Sequence, residues 1–202
     1  MNQHADIWRE QFTQAAQAVA ARVTPAADLA GAFDLALARV REGEGSLLAA
    51  PGWGAAQPLL AEKCRAAGVE LLTQGLAARA AELRFTLTPA TWGVAETGTL
   101  VLDSRDEEFR LATMLADCHL AVLPALRLAP DLGALAPELE RLLADAPGYL
   151  AFITGPSRTA DIERVLTIGV HGPGELEILL TAAPPPPPSP WEPAAAGLGG
   201  RA

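Results

Sequence analysis

Apolar residues recur at spacings of three and four at Trp8, Phe12, Ala15, Val19 and Val23, which predicts an amphipathic helix over residues 5–23. Thr24-Pro25 then reads as a cap and first helical position, opening a second helix through about Val40 that "REGEG" ends. Beyond this point the pattern alternates. "SLLAA" is a short apolar strand, 54–67 a helix closed by Gly68, and "VELL" a strand again. "FTLT" and "TGTLVL" are β-rich runs separated by the polar, glycine-containing "PATWGVAE". Residues 107–118 place Phe109, Ala112 and Leu115 on one helical face. "HLAVL" has the near-continuous apolar character of a strand buried on both faces. Pro137 suits the first turn of a helix reaching Ala144, with Leu139, Leu142 and Leu143 inward. "YLAFI", "LTIGV" and "ELEILL" complete the strands.

Strands alternating with helices of ten to fifteen residues predict an α/β fold: an open, largely parallel sheet flanked by helices, with a helical N-terminal part over residues 1–40. Residues 1–182 are read as one domain. From Pro184 the composition changes, with seven of the chain's seventeen prolines in "PPPPPSPWEPAAAGLGGRA". That segment, 183–202, is expected to be an extended, disordered tail outside the core, with Trp191 able to dock on the body or on a neighbour.

Charge narrows the function classes. With 15 basic against 24 acidic side chains, a net −9 over 202 residues, the chain lacks the basic footprint that nucleic acid or an anionic membrane requires. The longest apolar candidate, "LAVLPALRLA", is broken by Pro124 and Arg127, so no membrane span is expected. The N-terminus has no charged-then-apolar signal pattern, which points to a cytoplasmic protein. Cys64 and Cys118 stand far apart and no histidine pair has metal spacing, so no metal site or iron–sulfur cluster is expected on this chain alone.

Three clusters could carry chemistry, and each falls beside an apolar strand. In "WGVAETGTLVLDS", Glu96 precedes the buried run; partial desolvation there would suit it to nucleophilic or general-base work. Thr97 lies beside it, and Gly98 would let a ligand or another backbone approach closely. The competing reading is a polar turn whose carboxylate caps local amides or pairs with an arginine. In "ITGPSRTADIE", Gly155-Pro156 should turn from strand to helix with Ser157 as N-cap. Free N–H groups, the Ser157 and Thr159 hydroxyls and the Arg158 fork would then form an anion site. In that reading Asp161 and Glu163 hold the helix and turn in place; the alternative is plain capping, with Arg158 solvated or salt-bridged to Glu163. In "GVHGPGELE", His171 sits between a strand end and two glycines, placed to transfer a proton or, when charged, to bind an anion. His119 and His4 read as structural. No Walker loop, dinucleotide fingerprint or serine-hydrolase elbow is present.

Together, "VAETGTLVL", "ADCHLAVLP" and "ITGPSRTADIERVLTIGVHGPGELEILL" resemble the lactate utilisation protein C family of LUD-domain proteins, over roughly residues 40–182. The resemblance implies a NagB/RpiA/CoA-transferase-like α/β fold and a bacterial role in oxidising L-lactate to pyruvate. It also implies an iron–sulfur subunit and a cysteine-rich subunit as partners, which would carry the clusters this chain lacks. Glu96, Thr97 and Gly98 match one family segment; Gly155, Pro156, Ser157, Thr159, Asp161 and His171 match the C-terminal one. The alternatives are a module that binds a small anion or metabolite without catalysis, and an acyl- or CoA-transferring enzyme using Glu96, whose Glu96-Thr97-Gly98 context superficially echoes CoA transferases.

Overall fold

A computed structural model describes residues 3–144, 148–159, 167–168 and 172–182. In chain order the helices are α1 (Gln3–Ala18), α2 (Leu29–Glu42), α3 (Gln57–Ala67), α4 (Glu107–Leu115) and α5 (Leu132–Ala144). The strands are β1 (Arg22–Ala26), β2 (Leu47–Ala49), β3 (Glu70–Leu72), β4 (Phe85–Pro89), β5 (Trp92–Val94) and β6 (Thr99–Asp103). They continue with β7 (Cys118–Pro124), β8 (Leu128–Ala129), β9 (Leu150–Ile153), β10 (Arg158–Thr159), β11 (Thr167–Ile168) and β12 (Glu175–Thr181).

Six strands form an all-parallel open sheet in the order β1-β12-β7-β4-β2-β3. The α/β class and the parallel sheet expected from the sequence are therefore present. Parallel strands carry helices on both faces, so their side chains are buried twice over. On one face Leu48, Phe85, Leu87, Leu120, Val122 and Leu179 meet Phe33, Leu37 and Val40 of α2 and Leu60 of α3. On the other, Ala121, Leu123, Ile178 and Leu180 meet Phe12 and Ala16 of α1. Leu100 and Leu102 of β6 join that second cluster, which stacks a second sheet, ordered β8-β5-β6-β9, over the first.

Several boundaries differ from the sequence expectation. Residues 22–26 are not helical: they form β1, paired with β12 from Arg22↔Glu177 to Ala26↔Thr181. The Thr24 hydroxyl donates to the Glu177 carboxylate at 2.6 Å, and Pro25 is tolerated because β1 is an edge strand. The second helix starts only at Leu29, where the Asp28 side chain accepts from the Gly31 N–H. Trp92–Val94, read as a polar connection, is a strand forming an antiparallel hairpin with β6. Cys118 belongs to β7 rather than to the helix before it. α5 begins five residues ahead of Pro137, which therefore lies inside the helix, and Leu143 is 45% exposed rather than inward.

Candidate functional site

The segment around 154–159 takes a different form from the predicted one. Gly155 turns the chain with φ +76°, but Arg158 and Thr159 then run extended as β10, pairing antiparallel with Thr167–Ile168. Ser157 is thus no helix N-cap, and the dipole argument for an anion at this turn does not apply to residues 157–159. The proposed helix residues Asp161 and Glu163 lie outside the described residues, as does His171.

What the structure does bring together is the second and third clusters. The Ser157 N–H donates to the Pro173 carbonyl at 2.8 Å, and a methyl group at Gly172 would lie 3.3 Å from the Ser157 hydroxyl oxygen. The first cluster joins through side chains. Thr97 and Thr99 share a hydrogen bond of 2.7 Å, and Thr99 shares another of 2.7 Å with Thr154. Thr154 and Thr99 are members the sequence reading missed. The residue types were visible in Thr97-Gly98-Thr99, but Thr97 lies in the turn ahead of β6 and Gly98 at positive φ, so the pairing of the two hydroxyls is a product of the turn rather than of strand periodicity.

Gly98 and Gly155, next to Thr97, Thr99 and Thr154 in the chain, perform the same task. Gly98 has φ +64°, and a methyl group there would lie 2.2 Å from the Ala16 backbone nitrogen. At Gly155 it would lie 2.4 Å from the Val19 carbonyl oxygen. Of the two approaches considered for Gly98, a ligand or another backbone, the structure shows the backbone of α1. Arg158 completes the seat by donating to the Val19 carbonyl, where a cation answers the negative end of α1.

Glu96 is exposed in the turn between β5 and β6, where its N–H donates to the Pro130 carbonyl at 3.0 Å. The expected desolvation of a carboxylate at a sheet mouth is absent. Thr97 is exposed beside it; Ser157 is half-buried and Arg158 exposed. The cluster also sits at the end of the parallel sheet where its strands begin. Pro173 leads into β12, the Glu175 N–H bonds Asp117 just ahead of β7, and α1 ends just before β1. Strand β9 does end here, but it belongs to the other sheet.

The one strongly perturbed imidazole described is His119, which is buried in β7. Burial holds its pKa down at about 4, and its Nε2 lies 2.8 Å from the Thr88 hydroxyl. It is a neutral core residue, as its place in "HLAVL" implies. Cys64 and Cys118 are free and buried, and burial pushes the Cys118 thiol up to about 12. No group of three potential metal ligands occurs among the described residues, and no helix among them is long and apolar enough to cross a membrane.

The α/β architecture and the joined motifs define a LUD-type protein. The LUD-domain family model matches residues 9–181, and the chain belongs to that family. Among individual proteins it is similar to lactate utilization protein C of Halalkalibacterium halodurans, 38% identical over 90 residues, covering 43% of this chain and 39% of the relative. The protein of the same name from Geobacillus thermodenitrificans is 40% identical over 83 residues, 40% of this chain and 35% of the relative. That from Bacillus subtilis is 33% identical over 92 residues, 44% and 38% of the two. The chain thus spans about two fifths of the length of these curated relatives. A crystal structure of a DUF162 family protein from Deinococcus radiodurans shares the fold, with TM-score 0.58 at 21% identity over 88% of this chain and 98% of that one.

Proposed function

We propose that this chain is a cytoplasmic component of a lactate-utilisation system, acting in oxidation of L-lactate to pyruvate beside an iron–sulfur subunit and a cysteine-rich subunit. The relatives' shared name supports the lactate role. The observation that carries a site is the bond from Ser157 to Pro173, which sets the two C-terminal motifs side by side. A small carboxylate is held there by the Ser157 hydroxyl and by the Arg158 N–H groups not turned to Val19, since a guanidinium has five donors. Thr159 follows in β10, and the Thr97–Thr99–Thr154 hydroxyl chain adjoins the turn. Oxidation of lactate to pyruvate releases two electrons and two protons. The electrons pass to the partner subunits, and Glu96 and His171 are the candidate proton acceptors on this chain.

A second reading, a metabolite-binding module without catalysis, is favoured by two features: Glu96 is solvent-exposed, and Arg158 is engaged with α1. Deleting the gene in its host and growing the strain on L-lactate as sole carbon source tests the first reading. Loss of growth, restored by wild type but not by Ser157→Ala, is expected; unimpaired growth without a second lactate oxidase overturns the role. Purified chain that binds L-lactate calorimetrically yet stays inactive with its partner subunits establishes the second reading. A covalent Glu96 adduct with an acyl-CoA, seen by mass spectrometry, would replace both with acyl transfer.

A further inference from the structure

The second sheet ends on β9, a strand whose outer side has no partner among the described residues. Its inner side is fixed by β6. The Ser104 N–H donates to the Tyr149 carbonyl, whereas Val101 and Asp103 turn their backbone groups toward Thr91 on the β5 side. Backbone groups alternate sides along a strand, so Leu100 and Leu102 face β9 and are answered there by Ile153 and Ala151. The groups left pointing outward belong to Leu150 and Phe152.

The other sheet edges are blunted in the ways natural edges are. β1 carries Arg22 and Pro25. β3 is three residues long, and its Glu70 is paired with Arg79. β8 has two residues. β9 has none of these devices. Residues 148–157, "GYLAFITGPS", carry no charge, and proline enters only after the strand has ended. The side chains at the edge are apolar or aromatic and open, with Phe152 49%, Tyr149 56% and Leu143 of α5 45% exposed; the nearby charge is Arg110 of α4, whose guanidinium lies over the Tyr149 ring rather than on the strand. Phe152 lies opposite Val101, on the face that Leu135 of α5 covers further in, and is left uncovered at the rim.

We propose that β9 is a homodimer interface, pairing antiparallel with β9 of a second copy about a two-fold axis through Ala151. In this register Leu150 of each copy stands opposite Phe152 of the other. The outward N–H and C=O groups of both residues then exchange four hydrogen bonds, and Ala151 meets its own copy. The occupant is a second copy because the strand is self-complementary: the required pairs are apolar on apolar, and no like charges oppose. The result is a continuous eight-stranded sheet that buries Phe152 against Leu150 of its mate. The two Ser157 turns lie at opposite ends of the shared strand pair.

The test is light scattering of the full chain across a dilution series, with amide exchange read on the same samples. A mass of twice 21.0 kDa is expected, with protected Leu150 and Phe152 amides that become labile as the dimer dilutes out. The Ala151 and Ile153 amides, bonded to β6, should stay protected throughout. Leu150→Pro removes one outward N–H and none of the bonds to β6, and it should leave a folded monomer. Should that variant not fold, Phe152→Lys, a change at a half-exposed side chain, should raise the dimer dissociation constant at least tenfold. A chain that is monomeric at every concentration with labile Leu150 and Phe152 amides overturns the proposal. So does a dimer of undiminished affinity in folded Leu150→Pro or Phe152→Lys.

Discussion

The two sheets of this protein obey different rules. The six-stranded sheet is parallel and covered on both faces, and two of its interior polar pairs are matched across strands: His119 to Thr88, Glu177 to Thr24. The four-stranded sheet has antiparallel ladders, buries one face on the first sheet and leaves part of the other open at β9. The Thr97–Thr99–Thr154 hydroxyls belong to this second sheet and its turns, whereas Gly172 and Pro173 lead into β12 of the first. The candidate site therefore lies where a sheet covered on both faces meets one with an open rim.

Truncation in the parallel sheet should break that contrast most visibly. Leu120→Ala, at a fully buried position, should cost about 2–5 kcal/mol in urea unfolding, whereas Phe152→Ala in β9 should cost under about 1 kcal/mol in dilute monomer. Equal losses at the two positions would erase the distinction.

A pH effect of comparable size should belong to the first sheet alone. The folded His119 pKa lies at about 4, below the ordinary 6.5, so between these values the unfolded chain binds a proton that the folded chain does not. Stability should therefore be undiminished above about pH 6.5 and fall as the pH drops toward 4, by on the order of 3 kcal/mol from this group. Urea midpoints of wild type and His119→Gln across that window check the sign and the assignment: the variant should show a flatter slope.

Between the sheets stands the seat of α1. Gly98→Ala adds a methyl group at positive φ against the Ala16 backbone and should cost about 1–3 kcal/mol. Amide exchange should rise first in the last turn of α1; exchange unchanged there would mean that α1 does not depend on this turn. The smallest effect is expected at Arg158→Ala, about 0.3–1 kcal/mol from the lost cation at the end of α1, with Arg158→Lys intermediate.

The sequence was most legible where burial is two-sided. "HLAVL" read as a buried strand because side chains enclosed on both faces leave a continuous apolar run, and it is β7; "ELEILL" read as a strand and is β12 beside it. The edge strands β3 and β9 were legible as "VELL" and "YLAFI", but β1 was not. Arg22–Ala26 has one covered side and carries proline, so it read as the junction of two helices; only its pairing with β12 makes it a strand. Trp92–Val94 is too short for a period-two pattern to emerge, and its partner across the hairpin defines it. In the candidate site the residue types were legible, but their tasks were not. Gly98 and Gly155 announced a need for close approach, and nothing local said that the approaching backbone is the end of a helix eighty to a hundred and forty residues earlier.

Local pattern and motif order carried the α/β class, the buried strand "HLAVL", its structural histidine and the family. Long-range contacts set which end of the parallel sheet carries the site and place Arg158 on the end of α1. They also decided that "PSRT" runs extended and that Ser157 lies against Gly172. These depend on contacts between residues distant along the chain, and on how one sheet stacks over another, which no spacing within a segment encodes.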